Sequence, residues 1–469
     1  VTRLENITSV YLIGIGGIGM SALARFFNAN GKKIAGYDKT STALTDELIS
    51  ENIDIHFEDN LNLVPENFKD TSDKNNILII YTPAIPSDFS ELNWFRENNY
   101  TVVKRSEVLG LITKQSFTIA VAGTHGKTTT SSIIAHLLKQ GGVDCTAFLG
   151  GIAKNYNTNL VLGKAEKNSS QVIVVEADEF DRSFLTLYPD VAVVTSMDAD
   201  HLDIYHDKKN LEDSYKDFVS QVKNEGTTIY KTGLDLKNEK QKQYTYSINS
   251  PADFRGENIS VKNNKYTFDF TWKGLRFNGL TLGLPGRHNV ENAVAAIAVA
   301  LQMNVSHEKV SSGLSSYEGV KRRFEFHIRN PEITFIDDYA HHPEELRAAI
   351  LSVKELYPGK RITGIFQPHL YSRTKDFADD FAKSLSLLDE LILLDIYPAR
   401  EKPMPGIDSK LILDKVSLEK KIICSKNNLL EVLKNRDVEV IITLGAGDID
   451  QLVDPINEML IKKFKLSAI

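Results

Sequence analysis

The sequence predicts an α/β protein of three domains: a Rossmann-like N-terminal domain, a central phosphate-loop ATPase-type domain with a small β subregion, and a Rossmann-like C-terminal domain. Three observations predict it. Short β-branched apolar runs alternate with helix-length amphipathic segments through most of the chain, the pattern of parallel sheets with crossover helices. Two glycine-containing turns, Gly14–Gly19 and Gly123–Lys127, each follow such a run and open a helix. The length of 469 residues exceeds what one hydrophobic core usually covers.

In chain order, Ser9–Gly14 reads as a strand, followed by the glycine turn and a helix over Ser21–Asn30. Further strands are expected at Lys33–Tyr37, Ile77–Tyr81 and Thr101–Lys104, closing a first domain at 1–108. The second domain, 109–318, opens with the strand Phe117–Ala122, a phosphate-loop-like turn and a helix over Ser131–Lys139. Strands follow at Gln171–Val175 and Val191–Thr195. The stretch Lys231–Leu284 is polar and alternating, as in Tyr266–Phe270, and is expected to form antiparallel strands. After the break at Pro285-Gly286 a helix runs over Asn289–Gln302. The third domain, 319–469, has strands at Thr334–Ile336, Ile362–Phe366, Leu391–Leu394 and Val440–Leu444.

Composition excludes several function classes. A net charge of -7 argues against a general nucleic-acid binder, whose affinity rests on neutralising phosphates. Two cysteines, Cys145 and Cys424, are too few for a disulfide framework or a zinc cluster. The segment Val1–Asn6 lacks the apolar core of a secretory signal, and the longest apolar helical run, Ala293–Leu301, is too short to span a bilayer. A cytoplasmic protein acting on small molecules, with no membrane partner and at most weak self-association, is expected.

The turn Gly123-Thr124-His125-Gly126-Lys127-Thr128-Thr129 sits between strand and helix, the context a phosphate loop requires. Backbone N–H groups and the helix N-terminus face phosphates there, a lysine bridges their oxygens and a hydroxyl serves Mg²⁺. The strict pattern has glycine where this chain has Val121. ATP is the expected ligand. Mg²⁺ takes few protein oxygens; Thr128 is one candidate, and Glu176, leaving the carboxyl end of a strand, is another. His201, in Asp198-Ala199-Asp200-His201-Leu202-Asp203 after the next strand, is a candidate for a second metal or for orienting an amine. The loop Gly14-Ile15-Gly16-Gly17-Ile18-Gly19 fits a dinucleotide fingerprint with Asp38 downstream, but the same geometry serves any diphosphate.

Taken together, GIGGIGMSA (Gly14–Ala22), GTHGKTTT (Gly123–Thr130), EADEFDRSFL (Glu176–Leu185), DADHLD (Asp198–Asp203), GRHNVENA (Gly286–Ala293), RRFE (Arg322–Glu325), DDYAHHP (Asp337–Pro343), FQPHLYSRT (Phe366–Thr374) and YPARE (Tyr397–Glu401) resemble the Mur ligases of peptidoglycan synthesis along essentially the whole chain. The likeness is greatest to the members that add L-alanine to UDP-N-acetylmuramate.

The resemblance implies an ATP-dependent ligase of cell-wall synthesis. The lactyl carboxylate of UDP-N-acetylmuramate attacks the γ-phosphate of ATP, and the amine of L-alanine then displaces phosphate from the acyl phosphate. It assigns the UDP part to the N-terminal domain, with Gly14, Gly16, Gly17, Gly19, Asp38, Thr82, Ala84, Lys104 and Arg105 as its grip. Lys127, with Mg²⁺ on Thr128 and Glu176 and a second metal near His201, would neutralise phosphoryl charge. His288, Asn289 and Asn292 fall where the family holds adenosine, and Arg323 where it reaches phosphate. Tyr339, beside ATP, together with His341 and Arg373, falls where the amino acid and reacting groups are held.

Two positions depart from relatives. Leu370 stands where some members carry an alanine-binding arginine, which shifts the load to Arg373. Tyr215 occupies the slot of a lysine that other members carbamylate, with Lys216 one position off, so no carbamate is expected. Two alternatives remain at this point: a recycling ligase that adds a preformed peptide to the same sugar nucleotide, and a dinucleotide-dependent oxidoreductase.

Overall fold

The computed structural model describes residues 4–164, 171–200, 202–238, 241–399 and 401–466. Its first sheet is parallel and has strands β1 (Ser9–Ile13), β2 (Lys33–Tyr37), β3 (Asp54–His56), β4 (Ile77–Tyr81) and β5 (Thr101–Lys104), in the order β3-β2-β1-β4-β5. All of β1 and Ile77–Ile80 of β4 are buried, which is why both read as unbroken apolar runs. The chain winds outward from β1 to β3 and then returns to place β4 on the other side of β1. That reversal opens a crevice at the carboxyl ends of β1 and β4. The helix after β1 spans Ile18–Ala29, starting earlier than expected because Gly17, in extended backbone, already serves as its N-cap.

The second sheet includes β6 (Phe117–Ala122), β7 (Cys145–Ala153), β8 (Thr158–Val161), β9 (Val172–Glu176), β10 (Val191–Val194), β11 (Thr227–Lys231) and β12 (Lys242–Ser247), in the order β12-β11-β10-β6-β9-β7-β8. Pairs among these strands are parallel except β7 with β8. Because β6 lies between β10 and β9, the carboxyl ends of these three strands open side by side.

The segment expected to be wholly antiparallel divides in two. β12 pairs in parallel with β11, Thr227 opposite Lys242, and so prolongs the main sheet. Its polar–apolar alternation reflects partial burial, since only Tyr246 and Ser247 are buried, and carries no information on direction. β13 (Phe254–Lys262), β14 (Lys265–Trp272) and β15 (Leu275–Leu282) form the β subregion. They are joined by Asn263-Asn264 and Lys273-Gly274, pairs with positive φ at both residues, which suit two-residue hairpin turns.

Backbone contacts divide the chain into two compact units, Val1–Gly256 with Phe270–Phe277 and Asn292–Leu314, and Glu257–Asp269 with Asn278–Glu291 and Ser315–Ile469. In the first unit both sheets contribute to one apolar core that runs from Val10, Leu12 and Phe27 to Phe148, Phe184 and Phe218. The second unit carries β16 (Glu325–Arg329), β17 (Thr334–Asp338), β18 (Ile362–Phe366), β19 (Glu390–Leu393), β20 (Lys421–Ile423) and β21 (Val440–Leu444), in the order β16-β17-β21-β18-β19-β20. Only β16 is antiparallel. With β21 inserted between β17 and β18, a second Rossmann-type crevice opens at their carboxyl ends. Among the described residues no helix is long and apolar enough to cross a membrane.

Candidate active site

The phosphate loop is built by close backbone approach. Gly123 has a φ of 135°, and a Cβ there would lie 2.0 Å from Thr195 Oγ1, so only glycine fits against the end of β10. The Thr195 hydroxyl bridges the carbonyls of Ala122 and His125. The His125 amide donates to Ser196 Oγ at 2.8 Å, and the Thr124 hydroxyl donates to Asp198 O at 2.8 Å. Gly126, at φ 79°, is the N-cap of the helix Lys127–Gln140, which therefore begins one turn before the expected Ser131. Asn292 Oδ1 lies where a Cβ on Gly126 would be 2.7 Å away, so Asn292 rests directly on the loop.

Lys127 is the charge at the centre of this turn. Its Nζ donates to Gly123 O at 2.8 Å and contacts both carboxylate oxygens of Glu179, at 2.9 and 2.8 Å. Burial disfavours the ammonium, but Glu179, Asp178 and Glu176 outweigh it and hold the lysine pKa above its ordinary value. Burial likewise pushes the Glu179 carboxyl up to about 7, against the pull of Lys127. At neutral pH the lysine is charged and paired with Glu179.

The two expected metal ligands meet. Thr128 Oγ1 donates to Glu176 Oε2 at 2.8 Å, where the end of β9 faces the first turn of the helix. Room for that carboxylate comes from Gly150 on β7, where a Cβ would stand 2.1 Å from Glu176 Oε2. Both donors are hard oxygens, and no group of three or more His, Cys, Asp or Glu among the described residues could form a metal cage. Such a sparse donor set suits Mg²⁺, which keeps waters and phosphate oxygens as ligands. His201 lies outside the described residues. Lys216 pairs with Asp235 at 2.9 Å on an exposed face, while Tyr215 is buried in the core.

The N-terminal glycine turn sits at the crevice between β1 and β4. Gly14, at φ 88°, packs so tightly on Thr82 that a Cβ would come within 2.7 Å of the threonine methyl. Asp38 faces the turn, its Oδ2 accepting from Gly16 N at 2.8 Å, and so braces the loop. Gly19 leaves space for Arg105, whose Nη1 would be 2.7 Å from a Cβ there. Arg105 lies 3.6 Å from Asp178 and Lys104 3.2 Å from Asp181, which ties this corner to the segment after β9. Ala84 is exposed and does not line the crevice. A cavity of about 290 Å³ runs from Gly17, Gly19, Thr82 and Arg105 to Gly150, Glu176 and Asp178. The cavity that begins at the N-terminal glycine turn therefore reaches Glu176, the carboxylate that accepts from Thr128 on the helix after the phosphate loop.

In the second unit the carboxyl ends of β17 and β18 gather a separate cluster. The Tyr339 ring lies between the guanidinium groups of Arg322 and Arg323, at 5.2 and 4.9 Å. Asp338 is buried beneath it and accepts from the backbone amides of Phe324 and Ala340 at 2.8 and 2.7 Å; burial pushes its carboxyl up to about 7. His341 contacts Glu345 at 3.4 Å and lies edge-on to His369, with centroids 6.0 Å apart. Arg373 Nη1 is 3.4 Å from His369 Nδ1. Leu370 begins the next helix at φ 71°, a conformation unusual for a branched side chain. His288 is half-buried near Ser352, and loss of hydration pulls its imidazole down to about 4, so it is neutral at physiological pH. Asn289 Nδ2 donates to Pro285 O at 2.5 Å, fixing the start of its helix.

Sequence reasoning passed over Glu179, Gly150, Thr195 and Ser196, Asp338 and His369. Glu179 and His369 lie inside segments singled out above, and an acid three residues after Glu176 was a usable signal. Gly150 carries no local signal, because its importance comes from a strand neighbour.

Comparison with known proteins places this geometry. Residues 9–117 match the family model "Mur ligase family, catalytic domain", 121–300 "Mur ligase middle domain", and 322–447 "Mur ligase, glutamate ligase domain". A protein of Parabacteroides distasonis named UDP-N-acetylmuramate–L-alanine ligase is 52% identical over 465 residues, covering 98% of this chain and 99% of its own. One of the same name from Flavobacterium psychrophilum is 51% identical over 461 residues, covering 98% and 100%. The crystal structure of a UDP-N-acetylmuramate-alanine ligase from Thermotoga maritima aligns with a TM-score of 0.81 at 27% identity, covering 97% and 99%. A murein peptide ligase from Psychrobacter arcticus shares the fold, with a TM-score of 0.68 at 21% identity over 98% of this chain and all of that one. With all three domain models matched in order and full-length relatives at about half identity, the chain belongs to the Mur ligase family.

Proposed function

We propose that this protein joins L-alanine to the lactyl carboxylate of UDP-N-acetylmuramate, using ATP and passing through an acyl phosphate, in cytoplasmic synthesis of peptidoglycan precursors. The observation that carries the reading is the cavity that runs from the N-terminal glycine turn to Glu176, the carboxylate paired with Thr128 on the phosphate-loop helix. A redox enzyme has no use for a second phosphate loop beside its dinucleotide site, whereas a ligase with two nucleotide substrates does. The identities of about 50% to full-length L-alanine ligases favour that amino acid over the preformed peptide of a recycling enzyme. The division 1–108, 109–318 and 319–469 assigns the sugar nucleotide, ATP and the amino acid to successive domains.

The chemistry follows from the residues. A carboxylate resists amines until it bears a leaving group. The Gly14–Gly19 turn and helix N-terminus, with Thr82, Lys104 and Arg105, hold the diphosphate. The lactyl carboxylate then points along the cavity, and one of its oxygens attacks the γ-phosphorus while the bond to ADP breaks. Lys127 leaves Glu179 for the phosphate oxygens, and positioning with charge neutralisation supplies most of the rate. Thr128 and Glu176 would hold Mg²⁺, which adds positive charge to the phosphates. The family pattern assigns adenosine to His288, Asn289 and Asn292, and ATP contacts to Arg323 and Tyr339. The alanine carboxylate pairs with Arg373, whose fork matches both oxygens. The family pattern gives His341 and His201 the orienting of the amine. Its nitrogen attacks the acyl carbon, loses a proton, and the tetrahedral intermediate expels phosphate.

The test is ADP release assayed with UDP-N-acetylmuramate and with L-Ala, Gly, L-Ser or a tripeptide. Release that needs both the sugar nucleotide and L-alanine is expected. Release without the sugar nucleotide, or a preference for the tripeptide, would overturn the assignment.

A further inference from the structure

We propose that Asn159 is a positioning residue for phosphoryl transfer, one that sets the span between the diphosphate-holding turn and Glu176. The proposal rests on the ligase reading, which assigns those two sites.

Asn159 lies in β8, in the sheet that carries the phosphate loop, and has no solvent exposure. Its side-chain amide bonds to one helix of the other sheet's layer, Ile18–Ala29. Nδ2 donates to Ile18 O at 2.6 Å and to Ser21 Oγ at 2.8 Å. Oδ1 accepts from Arg25 Nη1 at 2.6 Å. Positions 18, 21 and 25 fall on one face of a helix, so a single side chain grips two turns of it. Arg25 is held in turn by Glu51 at 2.8 Å and Glu47 at 2.9 Å, and Phe26 packs on Phe148 with centroids 5.3 Å apart.

The gripped helix begins at the turn that faces the diphosphate. On the other side, β8 pairs with β7 through Leu160 and Phe148, and β7 pairs with β9 through Phe148 and Val175, the residue before Glu176. Three adjacent strands therefore connect Asn159 to the carboxylate at the γ-phosphate end of the cavity. β7 also supplies Gly150, which leaves Glu176 its space. The substrate crosses this gap with its diphosphate at one end and its reacting carboxylate at the other. A fixed span brings that carboxylate to the γ-phosphorus, and an error of about 1 Å in such a placement costs on the order of 100-fold in rate. Asn159 does not line the cavity and meets the diphosphate turn only through the Ile18 carbonyl, so its contribution is to distance.

The experiment uses the whole chain with Asn159→Leu, which keeps the branching and the number of side-chain heavy atoms and removes the three bonds, and Ser21→Ala, which removes one. The readouts are kcat, binary Kd values for UDP-N-acetylmuramate and for a non-hydrolysable ATP analogue, and the thermal midpoint. Asn159→Leu is expected to lower kcat by roughly 10- to 100-fold while each binary Kd stays within about threefold. Ser21→Ala should move kcat the same way by a smaller factor, and it carries the test alone if the leucine variant does not fold. An unchanged kcat, or a fall in kcat matched by equal losses in both affinities, overturns the positioning role. Wild-type protein that releases no ADP with both substrates would instead refute the ligase reading, so the two failures are separable.

Discussion

Gly150→Ala tests the metal-ligand arrangement with one methyl group. Gly150 lies within β7 and is not among the glycines with positive φ, so alanine is acceptable to the backbone. The added Cβ would stand 2.1 Å from Glu176 Oε2, 2.7 Å from Cδ and 2.8 Å from Oε1. Ordinary contact begins near 3.4 Å, so the nearer oxygen must retreat by about 1.3 Å. That same oxygen accepts from Thr128 Oγ1 at 2.8 Å, and the retreat breaks the pair. A displacement of about 1 Å at a positioning group costs on the order of 100-fold, or about 2.7 kcal/mol of barrier. Glycine in a strand interior has no stabilising advantage over alanine, so the thermal midpoint should stay within a few degrees. The assay is ADP release at saturating substrates across a Mg²⁺ titration. The variant should show a kcat lower by about 100-fold and a raised Mg²⁺ requirement. A kcat within threefold of wild type at every Mg²⁺ concentration would refute the placement of Glu176 as a metal ligand against Gly150.

Lys127→Ala should lower kcat by at least about 100-fold, by analogy with losing one preorganised donor to a charged transition state, while UDP-N-acetylmuramate binding measured by calorimetry is retained. Unchanged turnover would end the phosphate-loop assignment. Asp338→Asn places an amide NH₂ against one of two backbone donors and should cost about 1–3 kcal/mol. The Asp338 pKa is raised by folding, from 3.8 to about 7, so the folded state binds a proton the unfolded state has released. Its contribution to stability is greatest below about pH 4 and is lost as pH rises through 7. The gap in thermal midpoint between wild type and Asp338→Asn should therefore be wider at pH 5 than at pH 8, and a gap that widens with pH would contradict the sign. Leu370→Gly should raise the midpoint, because a branched residue at φ 71° costs about 1–3 kcal/mol. Leu370→Arg should lower KM for L-alanine and for glycine alike if the amino acid's carboxylate lies beside that turn, and unchanged KM values would place it elsewhere.

The two phosphate-facing turns are legible in the sequence because their physics is local: glycines, a strand before and a helix after. Glu176 is legible for a similar reason, since an acid leaving a parallel strand faces the ligand crevice. Its supporting partners are not. Gly150 matters only because β7 lies beside β9, and sheet order is not written in either strand. Asn159 acts through a contact with a helix more than a hundred residues away in sequence, and a lone polar residue in a short strand gives no warning of it. The direction of β12 was misread because alternation reports burial on one face rather than strand direction. Asp38 was placed in the right corner, with its brace on Gly16 N emerging only from the folded loop.

The central claim is that the lactyl carboxylate is activated by direct phosphorylation at the Glu176 end of the cavity that begins at the N-terminal glycine turn. It is tested most directly with UDP-N-acetylmuramate carrying ¹⁸O in that carboxylate. If the oxygen attacks the γ-phosphorus and the amine then expels phosphate, one ¹⁸O per turnover appears in inorganic phosphate and one stays in the amide product. Mass spectrometry that finds phosphate free of label, with ADP and amide formed in equal amounts, would contradict the account.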